Sequence, residues 1–154
     1  MMKKNVAVPL IFIWVGFVCA ISFMEAWLKF QAPGVTIPIG LGIGRLVFGA
    51  LNKVEWVLFL CCIFCFFPLK KEILKLKILM GILFVILSLQ TLWMLPTLDV
   101  RAGLFIEGGH VPPSNMHFYY VALEVLKVVC LITLGTGLFD RSLKGRSSES
   151  IAAN

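Results

Sequence analysis

Glu25, Lys29, Asn52, Lys53, Glu55, Gln90, His117, Glu124 and Lys127 interrupt stretches that are otherwise apolar. Their spacing is helical. Glu25 and Lys29 stand four apart, so they share a face and can pair. Asn52 and Glu55 are three apart. His117, Tyr120, Glu124 and Lys127 step by three, four and three, which makes one stripe on a helix. Acids, bases and an imidazole on such stripes can bind an ion or a small polar solute, relay a proton, or serve as general acid and base. Asp99, Arg101, Glu107 and His110 fall together in a connecting segment. Asp99 and Arg101 are candidates for a lid over the mouth of such a site, and Glu107 reads as a solvated loop residue.

Other chemistries find less support. A membrane haem held by two histidines needs them on facing helices, but His110 lies in a loop and His117 opens a helix at the same end. Met24, Met94, Met116, His110 and His117 offer the soft donors that suit copper, without a tight ligand spacing. Cys61, Cys62 and Cys65 make a CCxxC string inside an apolar run, where packed, unreactive thiols are the simpler reading. Gly40, Gly42 and Gly44 follow no strand, so they lack the context of a nucleotide-binding loop. No metal or organic cofactor is expected.

The elements that must position these side chains follow from composition. The 154 residues are 60% hydrophobic and 14% charged, with a mean hydropathy of +0.97. A soluble domain is about 45–50% apolar and about 25% charged, and one this small cannot bury so large a surplus. Four apolar runs, at roughly 6–30, 46–67, 73–95 and 116–139, each reach the ~20 residues that a helix needs to cross a bilayer. The expected fold is an all-α, four-helix transmembrane bundle in one domain. Pro33-Gly34 and Pro38 close the first helix, Pro68 the second and Pro96 the third. Thr97 would cap a short interfacial helix over 98–106, and Ser114 or Asn115 the fourth helix.

The net charge of +6 does not point to nucleic acid, because the basic residues cluster between apolar runs. Lys3, Lys4, Lys70, Lys71, Lys75, Lys77, Arg141, Lys144 and Arg146 fall on one side of a four-pass arrangement, against Lys29, Arg45 and Arg101 on the other. That bias places both termini in the cytoplasm of a bacterial inner membrane. The first apolar run is too long for a cleaved signal peptide. Residues 142–154 read as a flexible polar tail.

Four segments carry a resemblance. They are Glu25–Gly34 (EAWLKFQAPG), Arg45–Lys53 (RLVFGALNK), Leu98–Arg101 (LDVR), and His117–Tyr120 (HFYY) with Glu124 and Lys127. Over residues 8–140 the chain resembles a small four-helix integral membrane family of unknown function. That family groups bacterial proteins with a eukaryotic transmembrane protein associated with drug resistance. The resemblance implies a topology and no activity.

Burying each ionisable group in lipid costs about 2.5–3.5 kcal/mol on insertion scales, so the set needs either mutual pairing or a ligand. The expected site is an outward-facing cavity lined by Glu25, Lys29, Asn52, Lys53, Glu55, Asp99, Arg101, His117, Tyr120, Glu124 and Lys127. It would bind or help move a small solute, ion or proton. The alternatives are a membrane enzyme acting on a lipid or quinone, with Glu124 or His117 as acid or base, and an extracytoplasmic copper handler. The expected partners are the lipid bilayer and a second copy of the chain or another membrane protein.

Overall fold

A computed structural model describes residues 2–66 and 74–152. The expected helix ends at 67 and 73, the stop at Pro68, the Lys70 and Lys71 pair and the last two residues of the tail lie outside the described residues. The rest forms four long helical runs, with no strand among the described residues. Helix α1 joins Met2–Val18, a π-helical turn Cys19–Glu25, Ala26–Leu28 and a closing 3₁₀ turn Lys29–Gln31. Helix α2 is Ile37–Phe66. Helix α3 joins Leu74–Leu89, a second π-helical turn Gln90–Met94 and Leu95–Ile106. Helix α4 is Met116–Ala152. Four spans, Val6–Gln31, Ile37–Cys65, Leu74–Ile106 and Met116–Asp140, are long and apolar enough to cross a membrane. The chain is an all-α, multi-pass membrane protein. Helices suit that solvent because they satisfy their own backbone donors and acceptors.

Three boundaries differ from the sequence reading, each for a local reason. Helix α2 begins at Ile37 rather than at Leu46. Pro38 falls in its first turn, where a missing N–H costs nothing. Gly40 and Gly44 lie inside the helix because other groups approach closely: a Cβ at Gly40 would strike the Phe30 ring, and one at Gly44 would sit 3.1 Å from Lys29 Nζ. Helix α3 does not stop at Pro96 but runs on to Ile106, so the separate interfacial helix over 98–106 is its last section. The π turn over Gln90–Met94 widens the backbone just before Pro96 and accommodates the lost donor. Thr97 caps nothing; its hydroxyl donates to Trp93 O at 2.7 Å. Helix α4 continues to Ala152, through the tail expected to be flexible.

The connections use ordinary turn chemistry. Gly34 takes φ +83° in the turn after α1, and Gly108 takes φ +75° after α3. Gly109 N donates to Leu104 O at 2.9 Å, closing α3 with a left-handed cap. Ser114 Oγ accepts from Met116 N at 3.2 Å and starts α4.

The helices form a ring in which α1 packs on α2 and α4, and α3 packs on α2 and α4. The half of the bundle that holds the first turns of α1 has an apolar core. Ala7, Ile11, Trp14 and Val18 of α1 meet Leu58, Phe59 and Cys62 of α2. Leu76, Leu83 and Leu87 of α3 and Leu131, Leu134 and Leu138 of α4 complete it. The Trp14 and Phe59 rings meet edge to face at 6.3 Å. The outer surface is also apolar, with Leu46 77% exposed and Leu92 79% exposed, as lipid contact requires. At about 1.5 Å per residue, the 33 residues of α3 reach ~50 Å, beyond the ~30 Å hydrocarbon core. Its last turns, with the 32–36 and 107–115 loops, lie at one end of the bundle.

Candidate ligand cavity and buried charge network

Two polar features stack along the bundle axis. In the middle lies a network with no access to solvent or lipid: Glu55, Gln90, Glu124 and Lys127 are each 0% exposed. Lys127 Nζ donates to Glu55 Oε1 at 2.6 Å and to Glu124 Oε1 at 2.9 Å. Trp14 Nε1 donates to Glu55 Oε1 at 2.9 Å. Gln90 Nε2 donates to Glu124 Oε1 at 2.7 Å, and Ser22 Oγ to Glu124 Oε2 at 3.1 Å. All four helices contribute, so the network ties the whole bundle together. A neighbouring chain of bonds runs from Trp56 Nε1 to Thr91 Oγ1 at 2.9 Å, with Asn52 Oδ1 3.1 Å from that hydroxyl.

Both π-helical turns serve this network. Ser22 sits in the first and Gln90 in the second, and each donates to Glu124. A π turn inserts an extra residue and rotates the side chains that follow. Ala26 and Lys29 follow the first turn and Leu95, Pro96 and Asp99 follow the second, and all five line the cavity.

The cavity, of about 530 Å³, lies at the loop end of the bundle. That volume falls in the range that takes a small organic ligand. Phe30, Leu41, Phe48, Leu95 and Leu98 supply apolar wall, and Lys29, Arg45, Asp99 and His117 supply its charged and polar groups. Those charges are largely answered in place. Lys29 Nζ bonds Glu25 Oε2 at 3.1 Å and lies 5.4 Å from the centre of the Phe48 ring and 5.5 Å from that of Phe30. Arg45 grips Asp99 with two bonds, one from Nη2 to Oδ2 at 2.9 Å, a planar fork on a carboxylate. Thr91 and Tyr120 also line the cavity, and both neighbour the buried network. The Tyr120 side chain is 2% exposed, and its hydroxyl has no partner among the described residues.

The expected site residues thus divide. Lys29, Asp99, His117 and Tyr120 line the cavity. Glu25 stands behind Lys29 and pairs with it. Glu55, Glu124 and Lys127 do not line the cavity; they bond to one another beneath it. Asn52 lies beside them, bonded through Thr91. Lys53 is exposed on the outside of α2, one residue and therefore about 100° around the helix from Asn52. Arg101 does not line the cavity; it donates to Pro112 O and ties α3 to the following loop. Met24 is 54% exposed and His110 is exposed, whereas Met94 is buried, which splits the sulfur and imidazole set considered for copper. Cys62 packs in the apolar core.

Sequence reasoning passed over Trp14, Ser22 and Thr91 as polar partners. Trp14 carried a readable signal, since it continues the stripe of Ala7, Ile11 and Val18. Ser22 carried the same signal, four residues after Val18, and Gln90 follows Leu83 and Leu87 on the inner stripe of α3. No family model, curated protein or solved structure matches the chain.

Proposed function

We propose that this protein binds a small amphiphilic molecule, mostly apolar with one polar group, in the cavity at the loop end of its bundle. The observation that carries this reading is the cavity itself, about 530 Å³, with a largely apolar wall and with Lys29 and Arg45 already paired to carboxylates. The answered charges around the mouth favour an uncharged or zwitterionic ligand over a strongly ionic one. The bias of basic residues supports an outward position for this end, in an inner membrane. There the cavity would draw ligand from the outer leaflet or hand it to a partner.

An acid–base enzyme is less well supported. Both oxygens of Glu124 already accept bonds beneath the cavity, and His117 stands alone at the mouth. Neither is positioned to share a proton with the other.

A photoreactive test separates cavity binding from contact with bulk lipid. An alkyl diazirine amphiphile, activated in reconstituted vesicles, should label the cavity-lining residues Leu41, Phe48, Leu95 or Leu98. An excess of the same amphiphile without the diazirine should compete that labelling away. Labelling confined to lipid-facing positions such as Leu46 and Leu92, with no competition, would contradict the reading.

A further inference from the structure

The cavity does not use the network below it, and that network has an unbalanced charge. Two carboxylates and one ammonium, all 0% exposed, would leave one net negative charge in the middle of the bundle. Isolated buried charge is strongly disfavoured. No other charged side chain among the described residues bonds to the group, and the Tyr120 phenol lies against Glu124. Trp14 faces it from α1, Asn52 lies on α2 with Glu55, Gln90 faces it from α3, and Tyr120 lies on α4.

We infer that the Glu55–Lys127–Glu124 cluster is a binding site for one proton, carried on Glu55 Oε2. The hydrogen bonds distinguish the two acids. Glu124 accepts on both oxygens, from Lys127, Gln90 and Ser22, which is the pattern of an ionised carboxylate. Glu55 accepts only on Oε1, from Lys127 and Trp14. Its Oε2 is buried with no partner among the described residues. A carboxylic acid has this asymmetry: the carbonyl oxygen accepts and the other oxygen holds the proton. Gln90 Oε1, a buried acceptor in the same network, also lacks a donor among the described residues, so the added O–H improves the balance of donors and acceptors. With the proton in place the cluster is neutral, one ion pair beside one neutral acid. The inference does not depend on what the cavity binds, since none of these three side chains lines it.

Infrared spectroscopy of the reconstituted protein reads the proton directly. At neutral pH the wild type should show the C=O stretch of a protonated carboxyl, amounting to about one per chain. The band should move when the glutamates carry carbon-13. It should vanish in Glu55→Gln, whose amide matches the shape of the acid and keeps the thermal midpoint within a few degrees. The band should be equal in sodium and choline buffers. A wild-type spectrum without the band, a band that survives Glu55→Gln, or a band seen only when choline replaces sodium would each overturn the assignment. If the variant fails to fold, the wild-type isotope shift still decides whether a glutamate holds the proton, and a band without that shift overturns the assignment.

Discussion

Lys127→Met is expected to destabilise the folded bundle by about 3–5 kcal/mol, because it leaves the Glu124 carboxylate buried without its counter-ion. The ammonium is the one group that touches both acids, at 2.6 Å and 2.9 Å, and none of the three side chains is accessible. The double variant Lys127→Met/Glu124→Gln removes both formal charges and leaves Gln90 and Ser22 facing an amide. It should recover most of the loss, as replacing a whole buried ion pair is far less costly than breaking one. Denaturant titration of the protein in mixed micelles measures both. A single variant within about 1 kcal/mol of wild type, the scale of an exposed pair, would show that the ammonium does not sit between the two acids.

Gly49→Leu is expected to weaken amphiphile binding at least tenfold while leaving the fold intact. Gly49 lines the cavity, and a Cβ built on it meets no atom within 4 Å. A leucine there would leave the helix into open space at its Cβ and fill part of the ligand volume. Removing a glycine from a helix interior contributes up to about 1 kcal/mol of stability, so a folding defect would not explain the lost binding. Competition against the diazirine probe gives the affinity. Leu46→Ala, on the lipid-facing side of the same helix, should leave it unchanged. Equal affinity in Gly49→Leu and wild type would remove the cavity from the account.

Much of the architecture was legible because lipid imposes simple rules. Hydrophobic runs of sufficient length must be helices, and the four runs became four spans. Helical spacing also gave the Glu25–Lys29 pair and placed Asn52 and Glu55 together on the inner face of α2. It placed His117, Tyr120, Glu124 and Lys127 on one inward stripe. The stripe did not reveal that its upper half would line a cavity and its lower half would close on itself. That division depends on Trp14, Ser22 and Gln90 arriving from other helices with donors for the two acids. All three continue buried stripes of their own helices, but spacing within one helix does not say which stripes meet. Pro38 and Pro96 misled for the opposite reason. Proline marks a lost donor, but the first turn of α2 needs none and the π turn of α3 absorbs the other. Lys53 was placed by charge alone; a step of 100° from Asn52 already turned it outward.

The central claim is that the loop-end cavity holds a small molecule, and native mass spectrometry of the protein released from lipid nanodiscs tests it most directly. The account predicts wild-type chains carrying one small molecule at a defined mass, and Gly49→Leu chains without it. Wild-type and Gly49→Leu spectra showing the same scatter of bulk lipid, with no defined companion in either, would contradict it.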